Sequence, residues 1–137
     1  MRNNKFTAFF LSWAIILSAS VLPLFSQEAA QDKLIGVWNV EVLVDTEAFY
    51  LTLTMTLTEG KLGGTVTELS GSFSDVPLSE AAFDGTTLTV SFNAPTPPDG
   101  LERAIGFELK AVDDTNLEGT VNVPDLGVIG QVKAVKQ

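Results

Sequence analysis

Residues 49–58 read Phe49-Tyr50-Leu51-Thr52-Leu53-Thr54-Met55-Thr56-Leu57-Thr58. Phe49, Leu51, Leu53, Met55 and Leu57 share one parity, while Tyr50 and four threonines share the other. Side chains of an extended strand alternate between faces, so the stretch has one apolar face and one hydroxyl-lined face. On a helix the same residues would be scattered around the whole circumference. Gross burial of the five apolar side chains is worth roughly 7–15 kcal/mol, at about 1.5–3 each.

Weaker versions of the pattern run along the chain in both directions. Leu34 to Val44 is predicted as a strand with Trp38, Val40, Val42 and Val44 on one face, turning at Asp45 to Glu47. Glu59-Gly60-Lys61 signals a hairpin into Leu62 to Leu69, where Gly63-Gly64 predicts a bulge or a sharp bend. Pro77 interrupts Phe73 to Phe83, leaving a broken edge segment with a short strand at Leu78 to Phe83. Asp84-Gly85 turns the chain into Thr86 to Asn93, with Leu88, Val90 and Phe92 facing one way. Ala94 to Gly100 contains three prolines, which cannot donate to a ladder, and is expected to be a stiff connector.

Leu101, Ile105, Phe107, Leu109 and Ala111 then alternate, with Arg103 as the one polar intruder on their parity. Asp113 to Asn116 turns into Leu117 to Val123, and Pro124-Asp125 separates that strand from Leu126 to Val135. Two segments echo each other: Lys61-Leu62-Gly63-Gly64-Thr65-Val66 and Asn116-Leu117-Glu118-Gly119-Thr120-Val121. About eight short strands at regular spacing, with no long helix, predict an all-β domain. The expected architecture is a single antiparallel up-and-down barrel, with a β-sandwich as the alternative.

The first 26 residues are set apart from this domain. Arg2 and Lys5 precede an uncharged apolar stretch from Phe6 to Phe25, and small residues lead to Ser26. That is the pattern of a secretory signal peptide cleaved after Ser26, with Ser20 as the alternative position. A retained membrane anchor is the alternative, disfavoured by Pro23 and by the acidic residues that follow. Residues 27–33 are polar and expected to form a flexible leader; 34–137 form the domain. The expected location is periplasmic or secreted.

Charge and composition remove several function classes. The chain carries a formal charge of −9, which becomes −11 once Arg2 and Lys5 leave with the signal. No basic stripe is present to neutralise phosphates, so nucleic acid is not an expected partner. Without cysteine there is no disulfide, thiolate metal site or thiol nucleophile. Without histidine the commonest general base and most zinc sites are missing. No cofactor is expected, and no Gly-x-Ser-x-Gly, phosphate-binding or dinucleotide motif occurs.

The remaining chemistry-bearing residues have plain structural readings. Glu41, Glu102 and Glu108 could pair as glycosidase carboxylates. All three lie opposite an apolar face, where solvated sheet surface explains them better. Asp113-Asp114 lacks the alternating spacing of a calcium loop. Arg103 either marks a barrel mouth that binds a carboxylate or reaches to solvent from the end of the sheet. Trp38, Phe49, Phe92 and Phe107 are core residues that would line a cavity only if the barrel exceeds what its side chains fill. Eight strands sit at that threshold.

Leu34-Ile35-Gly36-Val37-Trp38-Asn39-Val40 resembles the Gly-x-Trp opening of the lipocalin and calycin families. That resemblance implies an eight-stranded barrel whose base is closed by Gly36 and Trp38. Lipocalins usually add an arginine near the C-terminus that stacks on that Trp, and a C-terminal helix; here the last strand offers only Lys133 and Lys136. The chain is more closely similar to small exported bacterial β domains without an established activity. Residues 36–38, 51–53, 60–66, 83–92 and 117–121 carry that similarity. Together these features predict a non-enzymatic barrel binding a small apolar or amphipathic ligand through Trp38, Phe49, Leu53, Met55, Phe92, Arg103 and Phe107. The alternative is a structural or interaction module with a filled core, monomeric or weakly dimeric through the edge near Leu78 to Phe83. An outer-membrane barrel is the remaining possibility; the favoured reading is not embedded in a membrane once processed.

Overall fold

The alternating stretch forms the body of strand β2 (Glu47–Thr58) in a computed structural model that describes residues 30–137. The signal peptide expected at 1–26 lies outside the described residues. Leu51, Leu53 and Met55 are buried, Phe49 and Leu57 are half-buried, and the threonines face outward or sit between. The other strands are β1 (Gly36–Val44), β3 (Lys61–Glu68), β4 (Val76–Pro77), β5 (Glu80–Phe83), β6 (Thr87–Thr96), β7 (Leu101–Asp113), β8 (Asn116–Val123) and β9 (Val128–Lys136). Residues 30–32, within the expected leader, form a helical turn, and a 3-10 turn at Pro124–Leu126 precedes β9.

The nine strands of the described residues belong to one curled antiparallel sheet, a half-barrel in form, in the order β4-β3-β2-β1-β9-β8-β7-β6-β5. Two of the nine come from the segment interrupted by Pro77, which accounts for one strand more than expected. Its halves go to opposite ends of the sheet: Val76–Pro77 pairs with β3 and Glu80–Phe83 pairs with β6. Between them Leu78 donates its N–H to Gly64 O (3.0 Å) and Ser79 donates to Ser91 O (2.8 Å).

Three local expectations are corrected. Gly63-Gly64 makes no bulge, because β2 and β3 pair without interruption from Leu51↔Glu68 to Thr58↔Lys61. Gly64 is needed instead for close approach: a Cβ there would collide with the Thr54 carbonyl oxygen. Gly119, its counterpart in the echoed segment, stands in the same relation to the Glu108 carbonyl. The shared Gly-Thr-Val therefore marks two strands pressed against a neighbour's backbone.

Second, Ala94 to Thr96 is not connector but the end of β6, with Ala94↔Arg103, Pro95↔Glu102 and Thr96↔Leu101 in register. Ser91 accepts from Ser79 on the β5 side of β6. With period two, Pro95 also directs its nitrogen to that side, past the end of β5. The missing N–H therefore costs the β6–β7 ladder nothing. Third, Leu126 belongs to the 3-10 turn rather than to the last strand, and Gly127 (φ 62°) turns the chain into β9.

The interior divides into two halves. At one end Leu34, Trp38, Met55, Leu88, Leu109 and Leu117 are all at most 3% exposed and pack into one cluster. Trp38 donates its indole N–H to Leu34 O (2.8 Å), so the polar edge of a buried ring is satisfied. Lys136 lies with Nζ 5.8 Å from the Trp38 ring centroid and donates to Lys33 O at 2.8 Å. The segment before β1 and the end of β9 thus meet over this half.

Candidate functional site

The other half is not filled. A cavity of about 420 Å³ opens there, within the size range of small-molecule sites. Its wall is built by the inward parity of several strands: Val42 and Val44 of β1, Phe49 and Leu51 of β2, Phe92 of β6, Ile105 and Phe107 of β7. Val121 and Val123 of β8 continue it, and Pro97, Pro98 and Leu126 contribute from turns. Phe92 stands edge-on to Phe107 (centroids 5.4 Å, 81°) and tilted against Phe73 (6.0 Å, 47°). Such pairs add about 0.5–1.5 kcal/mol beyond area burial and fix the rings as a rigid wall.

Of the seven residues expected to bind a ligand, Phe49, Phe92 and Phe107 line this cavity together. Trp38, Leu53 and Met55 lie in the packed core and do not line it. They are inward-facing, as their parity requires, but parity does not distinguish the filled half from the open one. Arg103 does not line it either. Its guanidinium donates to both oxygens of Asp99 (2.7 Å each) and to Thr96 Oγ1 (2.7 Å). The carboxylate it binds therefore comes from its own hairpin, and the network braces the β6–β7 turn beside the cavity. The hydrogen bonds from Arg103 hold the Asp99 carboxyl far below the usual carboxylate range, aided by the Leu101 N–H.

Glu68 and Phe73 are the main wall residues not singled out from the sequence. For Glu68 the signal was present: it shares the inward parity of Leu62 and Val66 on β3, as Arg103 does on β7. Its residue exposure is only 8%, and it faces the cavity. It also organises the turn after β3. Its Oε2 accepts from Ser70 Oγ and from the Ser72 N–H (3.1 Å), while its backbone N–H donates to Phe73 O (3.0 Å). Phe73 is brought to the cavity by this turn, so no strand periodicity could have located it.

Desolvation pushes the Glu68 carboxyl upward, but the bonds from Ser70 and Ser72 outweigh it and leave it below its ordinary 4.5. A carboxyl depressed on folding stabilises the protein above its unfolded value. That contribution disappears as pH falls through the lower, folded value. The melting temperature of the native protein is therefore expected to drop more steeply below about pH 4.5 than that of Glu68→Gln. Parallel curves in a pH series of thermal melts would remove this role.

No group of three or more His, Cys, Asp or Glu among the described residues is placed to hold a metal ion. None of the described helices is long and apolar enough to cross a membrane. Comparison with family models, with curated proteins and with solved structures gives no match.

Proposed function

We propose that this is an exported, non-enzymatic binding protein of calycin-like type that takes one small apolar or amphipathic molecule into the open half of its interior. The observation carrying this reading is the 420 Å³ cavity walled by Phe49, Phe73, Phe92, Ile105 and Phe107 above a packed base. A protein that only needed a core would gain by filling that space, since unfilled apolar volume forfeits dispersion contacts.

In this reading the sheet works as a closed barrel of eight staves, β4 and β5 serving as successive halves of one. The hydrogen bonds of Leu78 to Gly64 and of Ser79 to Ser91 support such closure, because they tie that stave to both neighbours. The Gly36–Trp38 base and Lys136 over the indole fit a calycin-like plan, with lysine where lipocalins use arginine.

The test is titration with a neutral hydrophobic dye, read by dye emission and by melting temperature. Saturable one-to-one binding is expected, with a thermal stabilisation of about 2.7 kcal/mol when free dye reaches a hundredfold over Kd. Val44→Trp, which places an indole in the cavity, should abolish binding while leaving the circular-dichroism spectrum unchanged. Absence of saturable binding by the native protein, or binding undiminished in Val44→Trp, would sink the proposal.

The alternative of an interaction module is favoured by one feature: among the described residues β5 has a partner strand on one side only, β6. A concentration-dependent shift in sedimentation that Ala81→Pro abolishes would favour that reading, because the Ala81 N–H points away from β6 whereas that of Ala82 belongs to the β5–β6 ladder.

A further inference from the structure

The polar part of the cavity wall has one sign. Glu47 and Glu68 contribute carboxylates and Ser70, Ser72 and Thr96 contribute hydroxyls, and among the described residues no lysine or arginine lines it. Arg103, which reaches Thr96, is engaged by both oxygens of Asp99. The Glu68 carboxylate has capacity left: both of its hydrogen bonds fall on Oε2. No fully buried side-chain oxygen among the described residues lacks a partner, so Oε1 is not sealed off from solvent. We infer that the cavity selects amphiphiles with a cationic, hydrogen-bond-donating head, such as a primary alkyl ammonium, seated against Glu68 with the tail among Phe49, Phe92 and Phe107.

Charge complementarity argues for this occupant over the anionic lipids that an apolar barrel would otherwise suit. An alkyl carboxylate would bring a second negative charge beside Glu68 in a chain whose formal charge is −9. Like charges confined near apolar walls repel more strongly than in water. An ammonium head would meet an acceptor already oriented by Ser70 and Ser72, with little reorganisation required.

This inference rests on the binding reading above, and the experiment separates the two. Decylamine, decanol and decanoate share one tail and differ in the head; each is titrated against the native protein by displacement of the neutral dye at neutral pH. The amine is expected to bind roughly tenfold or more tightly than the alcohol, as one charge-assisted hydrogen bond allows, and decanoate more weakly than the alcohol. Glu68→Gln should reduce the amine's advantage to threefold or less. Ser70→Ala loosens the turn but keeps the charge, and should preserve the advantage. Equal binding of all three heads, or an advantage that survives Glu68→Gln, overturns the inference and leaves the cavity reading intact. Loss of the advantage in Ser70→Ala as well as in Glu68→Gln also overturns it, because turn geometry rather than charge would then be responsible. If the neutral dye itself does not bind, the cavity reading fails and this inference with it.

Discussion

Trp38→Ala is expected to destabilise the protein by about 3–5 kcal/mol, the usual cost of deleting a large aromatic side chain from a packed core. Trp38 is 1% exposed and sits in the filled half among Leu34, Met55, Leu88 and Leu117. The change also removes the donor to Leu34 O and the ring beneath Lys136. Trp38→Phe separates these contributions. It keeps most of the apolar contact but loses the indole N–H, leaving Leu34 O without that donor, and should cost about 1–2 kcal/mol. Urea unfolding followed by circular dichroism gives both numbers. A loss under about 1 kcal/mol for Trp38→Ala would mean that this end of the interior is not close-packed. The cavity lies in the other half, so Trp38→Phe should leave dye affinity unchanged wherever the variant remains folded.

Gly64→Ala and Gly119→Ala are expected to cost about 3 kcal/mol each. The added methyl meets a main-chain carbonyl, Thr54 O or Glu108 O, rather than the flexible end of a side chain. Relief would require prising apart β2–β3, which pair without interruption, or β7–β8, which pair in register from Gly106↔Asn122 to Ala111↔Leu117 around Gly119. Gly63 provides an internal control one residue away. Its nearest neighbour to an added Cβ would be Thr56 Oγ1 at 3.9 Å, an ordinary contact. Gly63→Ala should therefore fall within about 0.5 kcal/mol of the native protein. Gly64 and Gly119 lie on strands that are not neighbours, so the double variant should show additive losses. Equal midpoints for Gly63→Ala and Gly64→Ala in denaturant titrations would refute the close-approach account of the echoed segments.

Much of this architecture was legible from parity. Leu51, Leu53 and Met55, then Leu88, Val90 and Phe92, then Phe107 and Leu109, are buried where alternation places them. Local rules failed where a residue's task is set by a strand distant in sequence. Gly64 reads as a bulge until the Thr54 carbonyl is seen beside it. Pro95 reads as a breaker until β5 is found to end before it, leaving its nitrogen no ladder to disrupt. Leu101 keeps the parity of its strand yet is 59% exposed, because it begins β7 at the turn, where inward direction no longer means coverage.

The same division separates two kinds of information about the site. An alternation of apolar and polar residues has a period of two whatever surrounds it, so the chain alone determined that this is an antiparallel β protein and which side chains point inward. How far the inward side chains fill the space they share depends on sheet curvature and on turns such as 68–73, which are non-local. Only the tertiary structure could therefore separate Trp38, Leu53 and Met55, packed in the base, from Phe49, Phe92 and Phe107, which wall a cavity with Glu68 among them.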